Sequence, residues 1–379
     1  MKIAIVCYPT FGGSGVVATE LGLALADRGH EVHFITYRQP VRLDVLNSSL
    51  HFHEVSVPDY PLFHYQPYAL ALSSKMVEIV KTHGIELMHV HYAIPHAYAA
   101  HMAKLILGEE GIHLPVVTTL HGTDVTLVGK HPVYKPAVTF SINQSDCVTS
   151  VSESLKQDTQ SIFAVTKDIH VIPNFVDFSK HKNHSKNCQR DLIAADDVKI
   201  VTHVSNFRKV KRVQDVIEVF YRIQQNIKAQ LILVGDGPER LNCMQLCDDL
   251  NIQDQVKFMG MSNEVYTILC YSDLFLLPSA SESFGLAALE AMMMRVPVIS
   301  SNTGGLPEVN IDGKSGYLFP VGAIDAMAEK AIELLSDDAL LEQFKSQAFH
   351  IAQGYDIKKV VNQYLSIYSQ TLKKAPYSG

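Results

Sequence analysis

The sequence predicts an α/β protein of two Rossmann-like domains, each a parallel sheet flanked by helices. Three observations carry that prediction. The 379 residues amount to about two to three ordinary domains. Short apolar runs alternate with amphipathic stretches from end to end, the pattern of right-handed βαβ units. The alternation also breaks once, at a Pro/Asn turn and a polar stretch, and then restarts.

Strands are expected first at 2–8, 31–37, 87–92, 115–120 and 147–152, runs too short and apolar for surface helices. Between them helices are expected at Gly15–Asp27, Leu70–Lys81, Ala97–Leu107 and Lys135–Gln144. In the first of these Val16, Leu21, Leu23, Leu25 and Ala26 supply the buried face. Ile172-Pro173-Asn174-Phe175-Val176-Asp177 closes this half, and Ser179–Asn187 reads as the connection between domains. Strands resume at 199–205, 230–236, 255–260, 274–279, 296–301 and 316–320. Finally Ile357, Val360, Val361, Tyr364, Leu365, Tyr368 and Leu372 recur at steps of three and four, an amphipathic helix with no strand after it. Assigned back to the first domain, it gives domains 1–174 plus 356–379 and 175–355.

Composition excludes several classes. Charged residues at 19%, hydrophobic ones at 47% and the absence of low-complexity tracts exclude a disordered or fibrous chain. A net charge of -7 argues against a dedicated nucleic-acid or anionic-membrane binder. Six cysteines scattered over the chain are no disulfide framework, and Cys243 and Cys247 lack a nearby third and fourth ligand for zinc. The N-terminal apolar run is too short for a signal peptide, and no window approaches the ~18 apolar residues of a membrane span. The expectation is a soluble cytoplasmic protein with no nucleic-acid partner and no stable membrane insertion; monomer and homo-oligomer stay open.

The chemistry-bearing motifs fall where strands end. Gly12-Gly13-Ser14-Gly15 lies between strand one and helix one, where glycines admit a ligand to the backbone and helix amides face an anion. The same glycines fit a loose dinucleotide pattern. However, five residues separate Cys7 from Gly13, and strand two ends Thr36-Tyr37-Arg38 without an acid for a ribose, which argues against a dehydrogenase. His121-Gly122-Thr123-Asp124 follows another strand, and a strand-end His before Gly is a candidate for touching substrate. His89 and His91, alternating on one strand face, read as packing rather than metal ligands. Ser205-Asn206-Phe207-Arg208-Lys209-Val210-Lys211-Arg212 puts four cations in five residues at a strand end, suited to a diphosphate. Gly235-Asp236-Gly237-Pro238 borders the same edge. Pro278–Leu286 runs from a strand through a Ser/Glu loop into a helix carrying Glu290. Its first-turn amides suit an anion, while Glu282 and Glu290 suit the hydroxyls of two sugar rings. Thr303-Gly304-Gly305-Leu306-Pro307-Glu308 is a further Gly-rich turn into a helix. In sheets of this kind ligands bind beyond the carboxyl ends of the strands, so the expected site lies between the domains.

In this order, and above all in Glu282-Ser283-Phe284-Gly285-Leu286-x-x-x-Glu290, the chain resembles the retaining glycosyltransferases of the two-domain GT-B fold, along essentially its whole length. CYPTFGGSGVVATELG, HVHYAIPHA, TTLHGTDVT and HVSNFRKVKRVQDVI resemble the members that move GlcNAc from UDP-GlcNAc to the hydroxyl of L-malate, in bacillithiol biosynthesis. The resemblance implies that Glu290 holds the ribose and Glu282 the donor-sugar hydroxyls. It also implies that Lys211 and the amides of Ser283, Phe284, Gly285 and Leu286 neutralise the departing UDP, with Gly13, Asn206 and Gly235 beside the donor. His121 is implied near the sugar carbon, and Ser14, Gly15, Tyr92 and Thr119 at the acceptor. Where the family carries Gly-Arg this chain has Ser205-Asn206, which passes the arginine's role to Arg208. Arg38 and Arg42 are available to an acceptor's carboxylates. The motifs nominate no nucleophile beyond Asp124, so a front-face displacement is expected. With no Asp-x-Asp motif, neither a metal nor another cofactor is expected. Another sugar or lipid acceptor, or a non-catalytic nucleotide-sugar binder, remains as an alternative.

Overall fold

The computed structural model describes residues 1–10, 12–41, 43, 47–59, 64–179, 190, 194–195, 197–262 and 264–374. Arg42, Cys188 and residues 180–187 of the expected connection lie outside the described residues. The chain divides into two compact units, Met1–Asn174 with Ile357–Gly379, and Phe175–Asp356.

Unit one runs β1 (Lys2–Val6), α1 (Ser14–Ala26), β2 (Glu31–Thr36), β3 (Leu50–Glu54), α2 (Tyr68–His83), β4 (Leu87–His91), α3 (Tyr98–Glu109), β5 (Val116–Leu120), α4 (Lys135–Gln144), β6 (Cys147–Ser150), α5 (Glu153–Ile162) and β7 (Ile169–Val171). All seven strands are parallel, in the order β3-β2-β1-β4-β5-β6-β7. The apolar runs become strands because both sheet faces are covered; Ile3, Ala4, Ile5 and Val6 are all fully buried. On one face Ala4, Val6, Ile35, Met88 and Val90 pack against Leu72, Met76 and Ile79 of α2 and Ala99, Ala100 and Ala103 of α3. Burying each large aliphatic side chain contributes about 1.5–3 kcal/mol. Helix α5 is started by Ser152, whose hydroxyl accepts the Leu155 amide at 3.0 Å.

Unit two runs β8 (Lys199–Val204), α6 (Val213–Gln224), β9 (Ala229–Val234), α7 (Arg240–Asp249), β10 (Val256–Gly260), α8 (Val265–Tyr271), β11 (Leu274–Leu277), α9 (Leu286–Met293), β12 (Val298–Ser301), α10 (Leu306–Val309), β13 (Gly316–Phe319), α11 (Ile324–Ser336) and α12 (Asp338–Ala352). Its six parallel strands stand in the order β10-β9-β8-β11-β12-β13. Cys243 and Cys247 carry free thiols and pack in this unit's core with Phe220, Leu231 and Leu341. Arg295 takes the left-handed conformation (φ 65°) after α9, with its guanidinium donating to Glu342.

The last helix, α13 (Ile357–Lys374), returns to unit one. Its Tyr368 hydroxyl meets His89 Nδ1 at 2.7 Å, and the Lys358 carbonyl accepts from Arg28 Nη2 at 3.1 Å. Its buried face includes Ile367 and Thr371, whereas the expected Leu365 and Leu372 are only half-buried.

In each sheet the chain reverses its direction of travel once, at β1/β4 in unit one and at β8/β11 in unit two. The loops beyond the carboxyl ends of two such strands diverge to opposite faces, leaving a crevice where ligands bind.

Candidate active site

At the β8/β11 reversal the basic loop after β8 meets the Ser/Glu loop after β11. Lys211 Nζ donates to Glu282 Oε1 at 2.5 Å, and the Ser279 hydroxyl donates to the same oxygen at 3.0 Å. The loops are also joined through the backbone, where the Ala280 amide donates to the Val210 carbonyl at 2.8 Å. Glu282 is thus a carboxylate held in place by a cation and a hydroxyl. The other cations of the basic loop diverge. Arg212 Nε donates to Asp215 Oδ2 at 2.6 Å, while Arg208 and Asn206 are exposed.

Two glycine turns brace this pair. Gly304 has a φ of +56°, and a Cβ there would lie 1.8 Å from the Glu282 carbonyl oxygen; one on Gly305 would lie 2.5 Å from that of Ser283. The Gly305 amide donates to the Glu282 carbonyl at 2.9 Å. Across the crevice, a Cβ on Gly235 (φ +119°) would lie 1.7 Å from the Ser205 carbonyl oxygen, and one on Gly237 2.1 Å from that of Asn206. These glycines let one backbone press against another. His203 adds a side-chain brace. It donates through Nδ1 to the Leu276 carbonyl at 2.8 Å and accepts from the Ser205 hydroxyl at 2.8 Å, and burial pushes its pKa down to about 4.

Gly285 (φ +95°) turns the Ser/Glu loop into α9, presenting the amides of that helix's first turn. Phe284 is buried against the Tyr355 ring, centroids 5.8 Å apart. One and a half turns along, half-buried Glu290 accepts a hydrogen bond from the Tyr266 hydroxyl of α8 at 3.0 Å.

At the β1/β4 reversal in unit one, the start of α1 meets the loop after β4. The Ser14 hydroxyl and the Tyr92 hydroxyl lie 2.7 Å apart. Tyr92 has a φ of 81°, an uncommon conformation for a residue with a Cβ, and its ring stands edge-on to Tyr8 at 5.3 Å and tilted to His121 at 5.2 Å. His121 Nε2 hydrogen-bonds His91 Nδ1 at 2.8 Å. Burial pushes the pKa of His121 down to about 3 and that of His91 well below its ordinary value, so both rings are neutral. Gly13 (φ +60°) has nothing within 4 Å of its missing Cβ, whereas a Cβ on Gly15 would lie 2.5 Å from the Tyr8 carbonyl oxygen. Gly13, like Gly12 before it, is therefore open, and Gly15 is the one that packs helix against loop.

One expected site residue is relocated, and the one carboxylate considered as a nucleophile is occupied. Thr119, expected beside the acceptor, is fully buried, its hydroxyl engaged with Thr149 Oγ1 at 2.6 Å and His89 Nε2 at 2.7 Å. Every residue of β5 is buried, and Thr119 belongs to the face covered by α13, which sequence spacing alone does not reveal. Asp124, the remaining carboxylate considered as a nucleophile, is buried and accepts the Ala93 and Gly122 amides at 2.9 Å and that of His121 at 3.2 Å. Its carboxylate fixes two loops and is consumed in doing so. Arg38 is exposed at the end of β2. The partners that sequence reasoning missed are Ser279, Tyr266 and His203; His91, read as packing, is buried and also holds the ring of His121. Only Ser279 carried a signal, as the first hydroxyl after a strand. Among the described residues, the groupings able to hold a metal ion are His33, His53 and His83, and Glu31, His33 and His51; neither includes a residue of these two crevices.

Comparison with known proteins gives two family matches, glycosyltransferase family 4 over residues 11–180 and glycosyl transferases group 1 over 185–350. N-acetyl-alpha-D-glucosaminyl L-malate synthase of Bacillus anthracis is 45% identical over 375 residues, 98% of each chain. The GPI3 subunit of phosphatidylinositol N-acetylglucosaminyltransferase of Saccharomyces cerevisiae is 23% identical, over 97% of this chain and 82% of that one. Among solved structures, sucrose-phosphate synthase of Thermosynechococcus elongatus superposes with a TM-score of 0.80 at 21% identity, covering 99% of this chain and all of the other. HepE of Anabaena, in complex with UDP-glucose, gives 0.80 at 21% identity over 98% of this chain and 100% of that one. These two share the fold.

Proposed function

The chain belongs to the GT-B glycosyltransferases of family 4, and from that premise we propose that it moves GlcNAc from UDP-GlcNAc to the hydroxyl of L-malate with retention at the anomeric carbon. The observation that carries the reading is the Lys211–Glu282 pair at the β8/β11 reversal, 2.5 Å apart. It places a cation and a carboxylate side by side at a helix start. A bound nucleoside diphosphate sugar has matching parts: a diphosphate anion and a hydroxylated ring. The donor and acceptor identities follow the malate synthase relative.

In this reading unit two takes the donor. Glu290, oriented by Tyr266, accepts the ribose hydroxyls; Glu282, oriented by Lys211 and Ser279, accepts those of the sugar. The first-turn amides of α9 and the Lys211 ammonium stabilise charge on the diphosphate as it leaves, which electrostatic catalysis needs most in the transition state. Arg208, exposed at the mouth of the basic loop, is the further cation within the same segment. Unit one supplies the acceptor side: Ser14 and Tyr92 hydrogen-bond malate, and the α1 amides and Arg38 meet its carboxylates. Neutral His121 offers a hydrogen bond near the sugar carbon and no charge.

The malate hydroxyl oxygen attacks the anomeric carbon on the face the phosphate leaves. The carbon–phosphate-oxygen bond breaks, and the hydroxyl proton passes to the departing β-phosphate oxygen. The product is GlcNAc-malate plus UDP. No protein nucleophile enters, in keeping with Asp124 being buried among three amides. Lacking an Asp-x-Asp motif, the chain relies on its own cation and helix amides for the leaving group, so turnover should be undiminished in EDTA. The deciding assay is UDP release from UDP-GlcNAc with and without L-malate, with the product's mass and anomeric configuration read directly. Malate-independent release, or an inverted product, would overturn the proposal.

A further inference from the structure

We propose that unit one carries a transition-metal site of the zinc type, formed by His33, His53 and His83 and backed by Glu31, at the β3 edge of its sheet. This inference is independent of the glycosyltransferase reading.

The site arises from strand periodicity. In the β2–β3 register His33 stands opposite His51 and Ile35 opposite His53. Because side chains alternate at every residue, Glu31, His33, His51 and His53 share one face of the sheet. On that face Ile35 packs with Met76, Ile79 and Val80 of α2, and His83 closes that helix. The ring of His33 therefore lies 5.2 Å from that of His53 and 4.7 Å from that of His83, with His53 and His83 5.0 Å apart. One ligand atom from each of the three lies within 4.8 Å of the others. A tetrahedral ion with metal–nitrogen bonds of ~2.0–2.1 Å needs donors roughly 3.4 Å apart, within reach of small ring rotations.

The hydrogen bonds already prepare the donors. Glu31 Oε1 accepts from His33 Nε2 at 3.0 Å, which leaves His33 Nδ1 as the lone-pair nitrogen; it accepts from His53 Nε2 at 2.9 Å, and an ion bound between the two rings takes the place of that proton, which shifts to His53 Nδ1. A carboxylate behind a histidine in this way fixes the tautomer and raises the basicity of the ligating nitrogen. Burial keeps both rings neutral, pushing the pKa of each down to about 4. His33 is fully buried while His53 and His83 are half-buried, so an ion enters from solvent and keeps an open position there. The cations facing the cluster are Lys2, 3.6 Å from Glu31 Oε2, and Lys75, which lowers the His53 pKa. Three imidazoles with no oxygen-only shell select Zn²⁺, Co²⁺, Ni²⁺ or Cu²⁺ over Mg²⁺ or Ca²⁺. The expected role is to tie the edge strand β3 to α2.

The test is titration of the full-length, chelator-stripped protein with Co²⁺, followed by displacement with Zn²⁺. The expected result is one equivalent bound with the visible d–d absorption of low-coordinate Co²⁺, abolished by Zn²⁺. His53→Gln and His83→Gln, both at half-exposed positions, should weaken binding at least 100-fold; Glu31→Gln should weaken it about 10–100-fold. His131→Gln should leave it unchanged. No binding by the unaltered protein, or equal binding by the folded His53→Gln/His83→Gln double variant, overturns the site whatever the transferase assay shows.

Discussion

Glu282 and Lys211 hold each other, so removing one alters the other. In Lys211→Ala the carboxylate keeps Ser279 but loses its cation, and the leaving diphosphate loses a charge. Loss of one stabilising donor of this kind costs about 10²–10³ in kcat, and we expect that fall with unchanged circular dichroism. A rise confined to KM, with kcat unchanged, would assign Lys211 to ground-state binding alone. Tyr266→Phe deletes the hydroxyl that donates to Glu290 at 3.0 Å. A hydrogen bond to a charged group contributes about 1.5–3 kcal/mol, so calorimetry should show UDP affinity down at least tenfold, with kcat nearly unchanged. Ser14→Ala should raise the KM for malate and leave UDP affinity alone; equal losses in both would remove Ser14 from the acceptor side. These residues differ in how readable they were. Glu282, Glu290 and Lys211 stand in motifs at strand ends. Tyr266 was invisible, because it acts through a partner on another element, and His91, read as packing, gave no sign that its ring would hold His121. Thr119 was misplaced for a related reason: a strand's two faces look alike until the sheet shows which one α13 covers.

The turns after β9 and β12 explain why motifs that resemble phosphate cradles are glycine-rich. Gly235 and Gly304 each face a carbonyl oxygen of the neighbouring loop at under 2 Å from a notional Cβ, 1.7 Å and 1.8 Å respectively, and each has a positive φ. Gly304→Ala should displace the Glu282 loop, lowering thermal stability and activity together. Gly260→Ala, with φ +64° but nothing within 4 Å, isolates the backbone term at about 1 kcal/mol. If both variants lose the same stability and Gly304→Ala stays fully active, the bracing role fails. The strands that flank these turns were readable within two residues at most ends, since each is buried on both faces. The strands at the first sheet's edges were not. β3, Leu-His-Phe-His-Glu, and β7, Ile-His-Val, are short and half polar because an edge strand is covered incompletely. Helix α5 was missed as well; its mostly polar sequence buries only Leu155 and Thr159.

Each unit has its own core and sheet, so each has its own response to pH and to ligand. In unit one burial pushes His89 and His121 down to about 3 and His33, His53 and His96 to about 4; in unit two His203 alone among the described histidines is so depressed, to about 4. A histidine depressed in the folded state binds its proton in the unfolded chain first. Its contribution is therefore complete above the unfolded pKa near 6.5 and declines as pH falls toward 4, each such group adding up to about 1.4 kcal/mol per pH unit. His91 is depressed in the same direction, and Asp124, raised by burial, opposes these histidines as a single group. Unit one should thus unfold before unit two between pH 6.5 and 4. UDP should act on the other unit: at about 100 times its Kd a ligand adds about 2.7 kcal/mol to the body that binds it. Hydrogen exchange read by mass spectrometry at pH 5 separates the two, since peptides from 1–174 and 357–374 report unit one and those from 197–356 report unit two. The expected pattern is acid-induced exposure in the first set and UDP-induced protection in the second. Protection of the first set alone would move the donor to unit one and reverse the assignment of the two crevices.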